Sequence, residues 1–135
     1  MKNDTSRLIR QGQPGEDGLA CVAMIFLAHE VAEDLITLRG KYPHHSIGMS
    51  LKSMIDIFSH HKLITKPLHC SIEEIENLKL PCILHWDMKQ FVVLSKIEKN
   101  VFTVLNPSNK KTRYMRDEFE THFCEIVLEI KPKYD

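Results

Sequence analysis

The sequence has no excess of charge of either sign and no long apolar segment, and these absences exclude several classes of protein. Eighteen Lys and Arg residues balance eighteen Asp and Glu residues in the 135-residue chain. Bulk electrostatic attraction to nucleic acid or to an anionic membrane is therefore not expected. The longest strongly apolar run, residues 20–28, is about half of the roughly 20 residues that a membrane-spanning helix needs. We expect no nucleic-acid partner and no direct membrane insertion by this chain.

A secretion signal and a disulfide pattern are also missing. The N-terminus does not join a basic segment to an apolar one and a small-residue cleavage site, which predicts a cytoplasmic protein. Hydrophobic residues make up 43% of the chain, enough for one domain, residues 1–135, to bury a core without disulfides or metal. In such a context the four cysteines are expected to be reduced, partly buried thiols; they are Cys21, Cys70, Cys82 and Cys124.

The first half of the chain has the apolar periodicity of helices. A central buried helix is predicted where apolar residues recur at helical spacing, namely Leu19, Val22, Ala23, Phe26 and Leu27. A second helix is predicted over residues 33–42, where Pro43 and the following His44-His45-Ser46 stretch end it. A third is predicted from Ser50, with one apolar face made by Leu51, Met54, Ile55 and Phe58.

The second half is rich in branched and aromatic residues, which favours strands. Residues 62–70 predict a short strand, and Ser71 with Glu74 forms a capping box that predicts a helix over residues 72–79. An antiparallel meander is predicted next, from segments 81–87, 91–98 and 101–107 with a turn at Lys99 and Asn100. A short helix over 116–123 and a last strand over 125–131 complete an α+β fold, with N-terminal helices packed on a C-terminal antiparallel sheet in two layers.

Three blocks of this sequence resemble a known family. They are QGQPGEDGLACVAMI at 11–25, PCILHWDMKQFVVL at 81–94 and NPS at 106–108. These blocks are similar to the cysteine peptidase domains at the N-terminus of bacteriocin-exporting ABC transporters, which cut double-glycine leader peptides. The resemblance covers about residues 11–130 and implies a papain-like fold, with a catalytic helix packed on an antiparallel sheet.

The same resemblance implies that the reactive groups have been replaced. The positions of the family's catalytic cysteine, histidine and acidic residue fall on Asp17, Gln90 and Asn106, and the oxyanion-hole glutamine falls on Gln11. A cysteine peptidase needs a thiolate and an imidazole, and an amide such as that of Gln90 cannot exchange a proton near neutral pH. We therefore predict a pseudo-peptidase without a catalytic triad.

Asp17 and Cys21 each have a structural and a chemical interpretation. Aspartate is a favoured helix N-cap and suits the positive end of a helix, so Asp17 is predicted to cap the central helix. A catalytic role for Asp17 lacks a titratable partner. Cys21 lies one turn further along the helix, where it is interpreted as a core residue and kept as the candidate nucleophile of a shifted residue set.

Two histidine pairs are further candidates, and so are the single residues His85 and Trp86. The pairs His44-His45 and His60-His61 are interpreted as solvated loop residues, because no spacing of further ligands supports a metal site. Trp86 is interpreted either as a packing residue or as a wall of a peptide cleft. The predicted substrate-binding residues are Gln11, Asp17, His85, Trp86 and Gln90. No metal or cofactor is expected.

The function that these observations favour is binding without catalysis. The predicted domain recognises a secreted peptide, a secreted protein or its double-glycine leader, gripped as a helix face in a groove, for export by an ABC transporter present in cis or in trans. Two alternatives remain: an active cysteine peptidase that uses Cys21, and a regulatory module that contacts the transporter itself. The location expected from the resemblance is the cytoplasmic face of the inner membrane.

Overall fold

The computed structural model of the chain describes residues 6–43 and 48–134. Three helices come first: α1 (Asp17–Ala28), α2 (Leu35–Lys41) and α3 (Leu51–Ser59). Strand β1 (Leu63–His69) and a single 3-10 turn (Ile75–Asn77) follow. The rest of the chain forms β2 (Cys82–Trp86), β3 (Gln90–Glu98), β4 (Val101–Leu105), β5 (Lys111–Met115), α4 (Arg116–His122) and β6 (Phe123–Pro132). Among the described residues, no helix is long and apolar enough to cross a bilayer.

The helices begin where their sequences provide caps. Asp34 accepts a hydrogen bond from the Thr37 backbone N–H at the start of α2, and Ser50 accepts one from Ser53 at the start of α3. Such side-chain caps satisfy backbone donors that have no partner within the helix. Both helices match their predictions to within two residues, and α1 is buried over nearly its whole length, as its apolar sequence predicts.

The strands form one antiparallel sheet in the order β1-β6-β2-β3-β4-β5. The meander β2-β3-β4 is confirmed, and its second turn uses Lys99 and Asn100 with positive φ angles of 52° and 66°. The C-terminal strand β6 inserts between β1 and β2. The α+β class and the papain-like arrangement of helices on an antiparallel sheet are confirmed.

The sheet is packed on both faces, so the predicted two-layer arrangement is wrong. The larger core lies between the helices α1 to α3 and one face of the sheet. A second core on the opposite face joins Trp86 and Phe102 to Phe119 of α4. Helix α4 adds this third layer because Phe119 is fully buried against the sheet. The outer layer covers only part of that face, since α4 is a short helix of 7 residues.

One further prediction of secondary structure is wrong, and one strand was not predicted. The predicted helix over residues 72–79 is reduced to the 3-10 turn, in which Glu74 accepts hydrogen bonds from both the backbone N–H and the hydroxyl of Ser71. Only half of the capping box forms, because the Ser71 hydroxyl donates to the carboxylate instead of accepting from the Glu74 backbone N–H. Strand β5 was not predicted, and its alternating charged residues reflect its place at the edge of the sheet.

The cysteines and histidines occupy specific positions. All four cysteines are free thiols, as predicted, with three buried and Cys124 half-buried. His60 is exposed, but His61 is not a solvated loop residue: its ring packs on Phe26 at 4.7 Å and its Nε2 contacts Glu33. The pair His44-His45 lies outside the described residues.

Candidate functional site

The first element of the site is the start of α1, where Asp17 connects the helix to the sheet. Residue Glu16 occupies the N-cap position, and no side chain caps the helix there. Asp17 is instead the first residue of the helix, and its Oδ2 accepts a hydrogen bond from the backbone N–H of Phe91 at 2.8 Å. The prediction that Asp17 is the N-cap is therefore wrong, because its side chain turns towards β3. Its negative charge still lies at the positive end of α1.

The loop before α3 closes one side of this helix start. Gly48 has a φ of 96°, and a Cβ built there would lie 3.4 Å from the Gly15 carbonyl oxygen and 3.7 Å from Asp17 Oδ1. Gly18, in the first turn of α1, approaches the same loop, since its Cβ would lie 3.2 Å from the Met49 Cβ. Glycine at these two positions lets the loop lie close to the carboxylate of Asp17.

The second element joins the start of β3 to the turn after β4. The hydroxyl of Ser108 lies 3.1 Å from Gln90 Oε1 and 2.9 Å from Asn106 Oδ1. A hydroxyl has one proton and donates to one of these oxygens at a time. Asn106 Oδ1 also accepts from the Ser108 backbone N–H at 3.0 Å, which fixes the turn. Since Gln90 directly precedes Phe91, the three predicted positions Asp17, Gln90 and Asn106 come together.

Gln11 reaches the site along the backbone of the same turn. Its backbone N–H donates to the Pro107 carbonyl at 3.0 Å, and its Nε2 donates to the Gln13 carbonyl at 3.3 Å. Its Oε1 is buried and has no hydrogen-bond partner within the described part of the chain. Buried acceptors are normally paired, and because this oxygen is enclosed, a ligand donor would reach it only after the Gln11 side chain moves.

A buried ion pair that the sequence did not reveal supports the loop of Gln11. Glu16 is fully buried and accepts from Arg39 Nε and Nη2 and from the backbone N–H of Gly12. The guanidinium of Arg39 holds the Glu16 carboxylate, and this contact raises the pKa of Arg39. The three residues tie α2 to the segment that carries Gln11. The sequence shows only an acidic residue directly before the predicted helix, and its partner on α2 is 23 residues away.

The two aromatic candidates of β2 lie on opposite faces of the sheet. His85 is half-buried and its ring lies 5.3 Å from that of Phe91, on the face that holds Asp17. Trp86 is 1% exposed and packs in the second core against Tyr114, Phe119 and His122. The prediction of Trp86 as a substrate-binding residue is therefore wrong, because neighbouring strand positions face opposite sides and the second core covers its indole.

Cys21 lies in the core beneath the site. Its side chain is fully buried, and burial, followed by the negative charge of Asp17, raises the pKa of the thiol well above its ordinary value. The thiol is consequently protonated near neutral pH, whereas nucleophilic attack requires the thiolate. Within residues 6–43 and 48–134, no cluster of three or more His, Cys, Asp or Glu side chains could hold a metal ion.

Comparison with known proteins identifies the family of the chain. Residues 5–135 match the peptidase C39 family. The chain belongs to the peptidase C39 family. Across 93% of its length, this C39 chain is 35% identical to the probable microcin-H47 secretion/processing ATP-binding protein of Escherichia coli and 34% identical to the colicin V secretion/processing ATP-binding protein of the same species. It spans about a fifth (18%) of the length of each of these relatives.

Solved structures show the same fold. A double glycine motif protease from an AMS/PCAT transporter, in complex with the leader peptide, superposes with a TM-score of 0.89 at 23% identity, over 96% of this chain and 93% of that one. The peptidase domain of Streptococcus ComA, a bi-functional ABC transporter, superposes with a TM-score of 0.80 at 16% identity, over 94% and 98% of the two chains. The C39 fold predicted from the three sequence blocks is confirmed.

Proposed function

We propose that this chain is a non-catalytic C39 domain that binds the double-glycine leader of an exported peptide or protein. The observation that carries the proposal is the contact of Asp17 with the Phe91 backbone at the position where the family resemblance places a nucleophile. Beside this contact, the amides of Gln90 and Asn106 meet the hydroxyl of Ser108, and Gln90 directly precedes Phe91 in β3.

These groups are poorly suited to peptide hydrolysis by acyl transfer. The reaction needs a nucleophile, a base that takes its proton and an acid that protonates the leaving amine. Gln90 and Asn106 can neither take nor give a proton near neutral pH. Asp17 is already engaged as an acceptor by the Phe91 N–H. Binding therefore remains the function for which these side chains are suited.

The alternative nucleophile, Cys21, is disfavoured by its position. Its thiol is enclosed in the main core with a raised pKa. An attack by Cys21 on a peptide carbonyl would require the start of α1 to open. The proposal of a shifted catalytic set is therefore the weaker one, and the experiment below distinguishes it.

The site retains groups that can hold a peptide. A movement of the Gln11 side chain would let its unpaired Oε1 accept a hydrogen bond from a peptide N–H, and the Ser108 hydroxyl lies on the turn that Gln11 contacts. His85 and Phe91 provide a half-buried aromatic surface beside Asp17. A neighbour in structure is a double glycine motif protease in complex with the leader peptide, which supports a leader as the ligand of this chain.

We further propose an ABC transporter as the partner, either as a later part of the same polypeptide or as a separate chain. The two Escherichia coli relatives are named secretion/processing ATP-binding proteins, and this chain corresponds to about a fifth of each. The proposed location is the cytoplasmic face of the inner membrane, where a leader would meet the domain before export.

An NMR titration of the isotope-labelled chain with a double-glycine precursor encoded near its gene tests the proposal. Saturable shifts at the amides of Gln11, Phe91 and Ser108, with the precursor intact by mass spectrometry, are the expected result. Cleavage of the precursor would overturn the non-catalytic assignment, and loss of that cleavage in Cys21→Ser would identify the nucleophile. If neither shifts nor cleavage occur, leader recognition is wrong.

A further inference from the structure

Strands β3, β4 and β5 present an open, positively charged surface next to the candidate site. The register places Lys96, Thr103 and Arg113 side by side on β3, β4 and β5. Lys111 lies opposite Leu105, and Leu105 belongs to the core under α1. Because alternate residues of a strand share a face, Lys111 and Arg113 lie on the α1 side of the sheet. Their neighbours Thr112 and Tyr114 lie on the other.

This surface is accessible and positively charged. An open depression of about 320 Å³ is lined by Lys96, Glu98, Lys99, Val101, Thr103, Lys111 and Arg113. We call the cations Lys96, Lys99, Lys111 and Arg113 the basic sheet face; all four are exposed. Four cations and the one carboxylate of Glu98 give a net charge of +3 (4 − 1), although the whole chain is neutral. Local charge of one sign attracts a ligand of the opposite sign.

The carboxylate of Glu98 does not neutralise the whole surface. Its Oε1 lies 3.6 Å from Lys96 Nζ, at the end of β3 that is remote from Gln90. Within the described residues, no ion pair involves Lys99, Lys111 or Arg113. Three cations are thus available to acidic groups of a ligand.

The basic sheet face is continuous with the candidate site. Strand β3 begins at Gln90, β4 ends one residue before Asn106, and Lys111 is paired with the last residue of β4. From Lys111 the cations extend along β5 to Arg113 and across the sheet to Lys96. Strand β5 covers about 13 Å at roughly 3.3 Å per residue. A peptide that enters the site can therefore continue over this surface.

We propose that the basic sheet face binds an acidic segment of the same exported peptide whose double-glycine end lies at Gln11 and Gln90. This inference rests on the proposed function and specifies its substrate class: a leader that carries several Asp or Glu residues. Val101 and the 60% exposed Met115 form an apolar strip at the remote end of the face. An amphipathic acidic segment matches both the cations and this strip.

A nucleic acid fits the surface less well. Proteins that bind single strands without sequence preference combine a basic groove with aromatic side chains on which the bases stack. The lining of the depression contains no aromatic residue, and it includes the carboxylate of Glu98. Tyr114, the aromatic residue of β5, packs in the opposite core.

Two synthetic peptides and two charge variants test this proposal. The peptides end in Gly-Gly and are matched in length and apolar content, but one carries four glutamates where the other carries glutamines. NMR titration of the native chain is expected to give tighter binding of the glutamate peptide by about tenfold at low salt, with shifts at Lys96, Thr103 and Arg113. Salt is expected to remove most of this preference, because exposed charge pairs are screened.

The variant Lys111→Glu/Arg113→Glu is expected to weaken binding of the glutamate peptide at least tenfold and to leave the glutamine peptide within about twofold. Its matched control, Lys52→Glu/Lys131→Glu, makes the same change in net charge at exposed positions outside the face and is expected to retain the preference. If this charge reversal disturbs the folding of β5, the milder variant Lys111→Gln/Arg113→Gln is used in its place.

Each outcome separates this inference from the proposed function. Equal binding of the two peptides to the native chain overturns the acidic substrate class and leaves leader binding intact. Failure of both peptides to bind contradicts both proposals. Competition by a single-stranded oligonucleotide as effective as the glutamate peptide assigns the surface to nucleic acid and refutes the inference.

Discussion

Replacement of Asp17 by alanine tests whether this carboxylate stabilises the domain. The variant removes the acceptor of the Phe91 N–H, which is 2.8 Å from Oδ2. A hydrogen bond to a charged group contributes about 1.5–3 kcal/mol, and a negative charge at a helix N-terminus about 0.3–1 kcal/mol. Because Asp17 is only half-buried, we take the lower part of these ranges. The expected loss in free energy of unfolding is about 2 kcal/mol.

The assay is urea and thermal unfolding followed by circular dichroism. For a chain of this size, a loss of about 2 kcal/mol lowers the melting temperature by roughly 5–10 °C. Asp17→Asn is the matched control, since it keeps an oxygen acceptor and removes the charge. It is expected to lose only about 0.5–1 kcal/mol, which is the contribution of the charge to the helix and to the hydrogen bond. The difference in free energy of unfolding between the two variants gives the contribution of the hydrogen bond from the Phe91 N–H of β3.

Two results would refute this reasoning. If Asp17→Ala unfolds at the same urea concentration as the native chain, the contact with Phe91 contributes nothing to stability. If Asp17→Asn is as unstable as Asp17→Ala, the charge is responsible and the link from helix to strand is not. Protection of the Phe91 amide from hydrogen exchange provides an independent readout, because it should fall in Asp17→Ala and persist in Asp17→Asn.

Three further predictions concern other parts of the chain. Native thiol labelling followed by mass spectrometry should modify Cys124 first and leave Cys21 unmodified until denaturant is added, since Cys21 is fully buried with a raised pKa. The hydrogen bond and charge of Lys41, with the charge of His61, lower the folded pKa of Glu33 from 4.5. Its contribution to stability is therefore present above that ordinary value and lost as the pH falls through the folded pKa, so Glu33→Gln should flatten the acid side of a melting-temperature profile. Met88 is 81% exposed and has a φ of 61°. Met88→Gly should stabilise the chain by about 0.5 kcal/mol, because relief of the left-handed backbone strain exceeds the entropic cost of glycine. A lower urea midpoint for unfolding of the variant would contradict this.

The sequence pattern predicted most of the fold because most elements carry the apolar, branched or aromatic residues that fill the two cores. Helix α3 buries Met54 and Phe58 of its predicted face and leaves Leu51 and Ile55 half-buried. Strands β2 and β4 of the meander bury most of their apolar residues. Strand β5 escaped prediction because its side chains on the α1 face are Lys111, Arg113 and Met115, which face solvent. The helix predicted after Ser71 failed for a different reason. Only half of its capping box formed, and Ile72 and Ile75 are the buried residues of the predicted range, so little apolar burial stabilises further turns.

The candidate site could be located from the sequence, but its contacts could not. The three blocks identified Asp17, Gln90 and Asn106, and the structure brings them together. The backbone N–H of Phe91 binds Asp17, and the hydroxyl of Ser108 joins Gln90 to Asn106. No sequence pattern predicts either of these contacts. The assignment of Trp86 failed because matching a family block does not say which face of the sheet a residue occupies.

The contacts of Asp17, Gln90 and Asn106 bear on how a domain that is proposed to lack a reactive thiol keeps its fold. The family resemblance places a nucleophile at the start of the helix, and here Asp17 accepts from β3 at that location. Gln90 and Asn106 meet through Ser108 instead of orienting an imidazole. Asp17, Gln90 and Asn106 thus each have a hydrogen-bond partner, and a change to a single reactive residue removes a contact without completing a triad. Because a cysteine thiol is a weak acceptor, Asp17→Cys alone loses most of the link to Phe91. The cations of the basic sheet face are independent of these contacts, so a binding surface can persist while the groups at the helix start serve stability.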